Sequence, residues 1–260
     1  MSSYVHTDIQ DTIGYITLIR GDSLNALNLP TAQELGEVLL RWSSDDAVRS
    51  IIITGTGKAF SAGDDIKGAL AHPNSPAAAF HELATFVHLY IVEIRRMRKP
   101  VIAAINGIAA GGGFALALAC DFRVMTTSAR LKQGFTSNAL CIDGGTSFTL
   151  PRLVGFARAF EIAAFDEPIS SEQALAWGLV TKVVDDANLL DAATQMAQTL
   201  TNKSLHTFGW AKELVNDTFD TPLERQLEKE RQGLVSCVTH PDGKEGIQAF
   251  LEKRKPPFRS

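Results

Sequence analysis

The sequence is poor in the features that mark several protein classes. It has 3 cysteines in 260 residues, Cys120, Cys141 and Cys237, and none stand in CxxC spacing. An odd, scattered set argues against a disulfide scaffold or a structural zinc site and fits a reducing, cytoplasmic setting. The 6 histidines show no metal-ligand spacing either, so no metal is expected. Positive charge is not in excess. With 25 Lys+Arg against 29 Asp+Glu the net charge is −4, the wrong sign for a general nucleic-acid or membrane-surface binder. The opening MSSYVHTDIQ lacks a basic segment followed by an apolar run, so no signal peptide is expected. Only Val101 to Ala119 runs uncharged over about the length that spans a bilayer. It holds Asn106, Gly107, Gly111, Gly112 and Gly113, and alanine fills much of the rest. That composition reads as a buried strand, a glycine turn and a buried helix rather than a membrane span.

What is present is an ordinary globular balance, 45% hydrophobic and 21% charged residues. The length suits one large domain, or one domain with an appendage. Strand and helix signals alternate through the first part. A hairpin turn at Ile9–Gly14 separates Tyr4–Ile9 from Tyr15–Arg20. Thr31 can cap a helix whose Leu35, Val38, Leu39 and Trp42 recur at helical spacing. Ser50–Thr54 and Val101–Ile105 are apolar runs that suit buried parallel strands, and Phe122–Met125 is another strand. A helix from about Ala77 to Arg98 stops at Pro100. After Pro151 the chain is mostly helical: Phe156–Phe165, Ser171–Trp177, Asn188–Leu200, Leu205–Phe219, Pro222–Val235 and Lys244–Arg254, with one strand near Leu179–Val184. The expected fold is therefore α/β, with a core over 1–200 and a helical region over 201–260.

Two small-residue loops could carry chemistry. Gly111-Gly112-Gly113 lies between a strand and a helix, where free N–H groups can meet a phosphate or a developing oxyanion. No Walker lysine follows and GxGxxG fails. Tight packing alone would also account for three glycines. The second loop, Phe60-Ser-Ala-Gly-Asp-Asp-Ile-Lys67, follows a parallel strand, at the end where open α/β sheets bind ligands. Each loop could give one N–H to the same oxygen. One of Asp64 and Asp65 is expected to cap the next helix.

Together with Asn25-Ala-Leu-Asn28, Lys99-Pro-Val-Ile-Ala-Ala-Ile-Asn-Gly107, Cys120-Asp121, Leu150-Pro-Arg-Leu-Val-Gly155, Ala174-x-x-x-Gly178-Leu-Val180 and Phe250-Leu-Glu-Lys-Arg-Lys-Pro256, these loops resemble the crotonase (enoyl-CoA hydratase/isomerase) superfamily. The resemblance covers essentially the whole chain. It implies a spiral of ββα units with a helical C-terminal trimerisation region, assembled as a homotrimer or a dimer of trimers. It implies an acyl-CoA thioester substrate, with coenzyme A entering as part of the substrate and no separate cofactor. The thioester oxygen would take hydrogen bonds from the backbone N–H groups of Asp64 and Gly112. Contacts to the CoA-bearing substrate fall on Ala26, Ala62, Asp64, Asp65, Ile66, Lys67, Gly111 and Phe135. Phe250 and Lys253 would reach the CoA of a neighbouring subunit. From the sequence alone, Lys253 also reads as a solvated helix end.

The sequence departs from the hydratase pattern. The resemblance places catalytic glutamates where Ala115 and Phe135 stand. Cys141-Ile-Asp143-Gly-Gly145 is instead similar to the segment in which isomerase-type members use one aspartate. A single base that removes and returns a proton suits a double-bond shift. Leu140, Cys141, Ile142 and Phe148 are expected to desolvate Asp143 and strengthen it as a base; capping of the following helix is the alternative. The same aspartate acts as a nucleophile in dehalogenase members, with a histidine activating water, and His88 stands at a matching place. Its apolar neighbours Phe86, Val87 and Leu89 also suit a packed histidine. A hydratase that uses Asp143 with an unrecognised second acid is a further alternative, and an acyl-CoA-binding member without turnover is the non-enzymatic one. The acyl pocket is expected along Leu70–Phe86, Phe114, Phe135 and Leu140.

Overall fold

The computed structural model describes residues 3–258. Its elements run β1 (Val5–Gln10), β2 (Ile13–Leu18), α1 (Leu29–Ser44), β3 (Ser50–Gly55), β4 (Ala59–Ser61), α2 (Ile66–Leu70), α3 (Pro76–Arg96), β5 (Val101–Ile105), β6 (Ile108–Ala110), α4 (Gly112–Ala119), β7 (Phe122–Thr126), β8 (Arg130–Lys132), α5 (Thr146–Val154), α6 (Phe156–Phe165), β9 (Ile169–Ser170), α7 (Ser171–Ala176), β10 (Lys182–Val184), α8 (Leu189–Thr201), α9 (Leu205–Asp217), α10 (Leu223–Thr239) and α11 (Pro241–Leu251). Three successive turns share one plan: β3–β4–α2, β5–β6–α4 and β7–β8–α5. In each turn the first strand joins a six-stranded sheet of order β1-β2-β3-β5-β7-β10, and the second joins a four-stranded sheet of order β4-β6-β8-β9. This is the expected spiral of ββα units. The larger sheet is parallel apart from the β1–β2 hairpin, whose turn residues Asp11 and Thr12 have φ of 47° and 70°.

Strand alternation sorts the apolar residues into two cores. Ile51 and Ile53 of β3, with Val101, Ala103 and Ile105 of β5, face α1, α3 and α4. The intervening Ile52, Ile102 and Ala104 face Leu189, Ala192, Ala193 and Ala197 of α8. Both faces are covered, so these strands read as unbroken apolar runs. The uncharged stretch from Val101 to Ala119 is β5, β6, Gly111 and the wholly buried α4. Among the described residues, only α3 is long and apolar enough by length and composition to cross a membrane. Its Leu83, Val87, Tyr90, Ile91 and Ile94 are buried in the core.

Local signals account for most helix boundaries. The α1 cap is Asn28, not Thr31. Its Oδ1 accepts from Thr31 N at 3.0 Å and from the Thr31 hydroxyl at 2.6 Å, and Pro30 follows in the first turn. Ser170 and Gln173 form a capping box at α7. The segment after Ser61 is not all loop: Asp65 caps the short α2 through Gly68 N at 3.0 Å.

Helix α9 is tied to the core through a buried ion pair. Lys212 of α9 sends Nζ to Ile94 O (2.7 Å), Lys99 O (3.2 Å) and Asp121 Oδ2 (2.8 Å). Asp121 Oδ2 also accepts from Val101 N at 2.9 Å. Burial pushes the Asp121 carboxyl up and the Lys212 amine down, and their contact opposes both. Removing one partner strands the other charge, which typically costs about 3–5 kcal/mol. Lys212→Met is therefore expected to lower unfolding free energy by about that amount in urea titration. Adding Asp121→Asn should recover part of the loss; an unchanged midpoint for Lys212→Met would show that the pair does not hold the helix.

Candidate active site

The Asn25–Asn28 strap sets the position of the first loop. Leu24 and Asn25 adopt positive φ, 51° and 55°. The buried Asn25 side chain donates to Thr56 O (2.9 Å) and Ala59 O (2.8 Å), and Ser61 Oγ donates to Asn25 O at 2.8 Å. A bridge then forms around Leu27: Leu27 N donates to Gly63 O (2.7 Å) and Asp65 N to Leu27 O (2.9 Å). That pairing uses the Gly63 carbonyl and the Asp65 N–H, on either side of Asp64. The Asp64 N–H donates no hydrogen bond among the described residues.

The second loop lies directly against the first. Gly63 has φ of +92°, and a Cβ there would come within 2.7 Å of Ala110 O and 3.1 Å of Gly112 N. No residue with a side chain fits that approach without moving backbone. A Cβ on Gly112 would in turn lie 2.6 Å from Asp64 Oδ1. Gly112 opens α4, so its N–H has no partner within the helix, and it donates to none outside it among the described residues. The structure thus brings Asp64 and Gly112 together with both amides free, at a helix N-terminus that favours negative charge.

Asp143 and His88 also meet. His88 Nε2 lies 2.7 Å from Asp143 Oδ1, joining α3 to the lead-in of α5. Asp143 does not cap α5: Gly145 holds the cap position, and the Asp143 contribution is its backbone oxygen, which accepts from Thr146 N at 3.1 Å. The expected apolar enclosure of Asp143 is not formed. Its side chain is 41% exposed and that of His88 54%, while Leu140, Cys141 and Phe148 are also exposed. The loop reaches this place over Ala115, where a Cβ on Gly144 (φ +60°) would lie 2.6 Å from the Ala115 methyl. The small side chain at 115 is what lets the Asp143 loop descend.

Within the site, the carboxyl raised by burial is Asp64. It is pushed from an ordinary 3.8 up to about 6, first by desolvation and then by the negative charge of Asp143. Its carboxyl accepts no hydrogen bond among the described residues. Tyr90 of α3 is buried nearby in electrostatic terms, with its hydroxyl unpartnered among the described residues and raised by burial, Asp64 and Asp143. Asp65 is different. Arg20 holds it at 2.8 Å and Gly68 N caps it, which together keep its carboxyl low against the opposing effect of burial.

The remaining expected residues divide. Ala26, whose carbonyl accepts from Arg20, and Ala62, whose N–H donates to Leu24 O at 2.9 Å, belong to the strap and loop beside Asp64. Ile66 and Lys67 begin α2 just beyond, with Ile66 43% exposed. Gly111, at φ +50°, caps α4 and donates to Lys132 O at 3.2 Å. Phe135 is buried. Phe250, 82% exposed, and Lys253 lie on and just after α11, which packs on α10. No hydrogen bond, ion pair or ring contact among the described residues joins them to the site loops of their own subunit.

Sequence reasoning missed Asp166. Buried at φ 50°, it accepts from Gly134 N (2.7 Å) and Ser137 N (3.0 Å) and so fixes the loop carrying Phe135. Nothing around Asp166 in the sequence marks this role. Of the residues expected along the acyl pocket, Phe114 and Phe135 are buried and Leu70 and Leu140 exposed. A cavity of about 200 Å³ follows part of that stretch, between Leu27, Asp65, His72 and Leu83, and one of about 650 Å³ opens beside Gly145, between α3, α5 and α9.

The chain is similar to known proteins over nearly its whole length. A sequence model of the enoyl-CoA hydratase/isomerase family matches residues 8–260. The chain is 34% identical over 259 residues to 1,2-epoxyphenylacetyl-CoA isomerase of Escherichia coli K12, covering 99% of each. It is 33% identical over 251 residues to 4-chlorobenzoyl coenzyme A dehalogenase-2 of an Arthrobacter species, covering 95% of this chain and 91% of that one. The crystal structure of an enoyl-CoA hydratase from Polaromonas sp. JS666 superposes with a TM-score of 0.93 at 34% identity, covering 98% and 99%.

The raised Asp64 carboxyl has a stability consequence. The folded state holds that proton up to about 6, whereas the unfolded chain releases it near 3.8. Stability from this group is therefore greatest below the lower value and falls as pH rises between the two, by up to about 3 kcal/mol. Asp64→Asn should stabilise the protein at pH 7 but not at pH 3.5. Parallel urea midpoints for variant and parent across that range would contradict the assignment.

Proposed function

The chain belongs to the enoyl-CoA hydratase/isomerase family, and from that premise we propose that it shifts a double bond in an acyl-CoA thioester through an enolate. The observation that carries this reading is an exposed carboxyl, Asp143, whose charge is felt at Asp64 next to two free amides, with no glutamate at 115 or 135. The thioester oxygen accepts from Asp64 N–H and Gly112 N–H. Such donors cost no reorganisation when negative charge develops, and losing one typically costs about 2.7–4 kcal/mol in the barrier. Asp143 breaks a C–H bond α or γ to the carbonyl and takes the proton. The electron pair flows to the thioester oxygen. The proton then returns to the other end of the allyl system, and no water is consumed. His88, donating from Nε2, holds the carboxylate in line.

The Asp64 carboxyl bears on the same oxygen. Its ionised form repels the enolate, and its protonated form does not. kcat/KM is therefore expected to fall as pH rises through about 6, and Asp64→Asn should flatten that limb; a limb that survives the substitution belongs to another group.

A second reading has its own support. The 2.7 Å contact between His88 and Asp143 also suits a nucleophilic carboxylate whose ester intermediate is hydrolysed by water that His88 deprotonates. The similarity to a dehalogenase supports it too. Assembly as a homotrimer or a dimer of trimers is supported by apolar side chains left exposed on α6 and α10, among them Phe156 (74%), Phe160 (60%), Leu223 (68%) and Leu234 (67%). In such an assembly Phe250 and Lys253 would meet the CoA of an adjacent subunit. The three free thiols fit a cytoplasmic enzyme.

Purified protein offered 3-enoyl- and aryl-CoA thioesters, with products read by mass, separates these readings. A moved double bond at unchanged mass is the expected result. Asp143→Asn should lower that rate by about 10²–10⁴-fold while thioester binding persists. Halide release from a haloaryl-CoA thioester, with an aryl ester of Asp143 that still carries CoA accumulating in His88→Gln, would replace the isomerase reading with the nucleophilic one.

A further inference from the structure

The substrate reading leaves a cavity and a cation unexplained. The cavity of about 650 Å³ begins at Gly145, two residues beyond Asp143, and is walled by Ile91 and Val92 of α3, Phe148 of α5 and Asn216 of α9. Arg95 also lines it. His88, Ile91, Val92 and Arg95 stand at i, i+3, i+4 and i+7 on α3, so they share one face. Seven residues of helix rise about 10 Å. The cavity thus leads away from the His88–Asp143 pair over an apolar stretch, and Arg95 lies along the same wall.

Charge at this end is unbalanced. Each carboxylate on the cavity wall already has a cation: Glu213 with Arg98 at 3.3 Å, Asp220 with Arg152 at 3.3 Å, and Asp217 with Lys229. Behind the wall, Asp121 is taken by Lys212 at 2.8 Å. Arg95 is half-buried, and its partner is the neutral Asn216 side-chain oxygen. Among the described residues it pairs with no carboxylate. Burial weighs first against its charge; Asp121 offsets part of that cost and Arg152 adds to it. A guanidinium with unused donors in a planar fork, facing a cavity, matches a carboxylate better than a methyl group.

We infer that Arg95 is a specificity residue that binds a carboxylate at the far end of the acyl group, so that the preferred substrates are ω-carboxylated enoyl-CoA thioesters. The inference rests on the reading of Asp143, Asp64 and Gly112 as the reacting site. The thioester end meets the two amides, the carbon chain or ring lies against Ile91 and Phe148, and the distal carboxylate reaches Arg95. Binding brings a negative charge to a cluster with surplus positive charge, and releases the water that otherwise solvates the guanidinium.

The test compares two probes of equal chain length, one ending in a carboxylate and one in a methyl group. As 3-enoyl-CoA thioesters they are scored by kcat/KM, and as saturated thioesters, which cannot isomerise, by Kd in calorimetry. The wild-type protein should prefer the carboxylated probe by about 10–100-fold in both measurements, the range expected for a hydrogen-bonded charged group. Arg95→Met should bring that ratio close to unity, and Arg95→Lys should restore part of it. A wild-type ratio near unity in Kd, or a preference that Arg95→Met leaves intact, would overturn the inference. A Kd preference without turnover of either enoyl probe would support Arg95 and contradict the isomerase reading instead, which keeps the two failures apart.

Discussion

Everything proposed for this chain depends on two stretches of backbone coming closer than side chains allow. The β4–α2 loop meets the N-terminus of α4 where a Cβ on Gly63 would strike Ala110 O and Gly112 N. The approach is imposed by parallel pairing of β4 with β6, and by the Asn25 strap that holds the first loop down. Its result is a pair of amides, at 64 and 112, left without internal partners. Free N–H groups beside a buried helix terminus are costly in a folded protein unless something accepts from them. A thioester oxygen that gains charge is a suitable acceptor, and the cost of holding the donors ready was met when the chain folded.

The acid groups around that pair depart from the hydratase pattern. The space above position 115, where the hydratase pattern has a glutamate, is taken by Gly144, so the carboxyl has moved from α4 to the lead-in of α5. His88 reaches it from α3, across 55 residues of sequence. A second carboxyl, Asp64, sits at the amides themselves, and its charge is costly there. Burial and Asp143 together favour its protonated form. The proposed site therefore combines a solvent-accessible carboxyl, Asp143, with a shielded one, Asp64.

Much of this was legible because period and composition reflect burial directly. β3 and β5 stand out as apolar runs because both of their faces are covered. The second sheet did not stand out: its strands are two or three residues long, too short to carry an alternation. The α1 start was misplaced by three residues because Asn28 and Thr31 both cap well, and only the geometry shows that Thr31 donates to Asn28. The glycine loops, Asp143 and His88 were each recognisable, the last two through the family pattern. Their meeting was not, since contact between distant segments is set by packing. Lys212 with Asp121, and Asp166 with the Phe135 loop, escaped for the same reason. The desolvation expected at Asp143 failed because Leu140 and Phe148 turn outward, and it appeared at Asp64, whose place between two glycine-rich loops shields it.

The central claim is that Asp143 exchanges a proton with the carbon next to a thioester held by the amides of Asp64 and Gly112. Incubating the protein with a saturated acyl-CoA in deuterium oxide, and following the α-carbon by mass and proton resonance, tests it without needing the natural acyl group. The account predicts deuterium entering at the α-carbon in the wild-type protein, with CoA still attached, and no measurable entry in Asp143→Asn. Exchange that persists in Asp143→Asn, or release of free CoA in place of exchange, would contradict it.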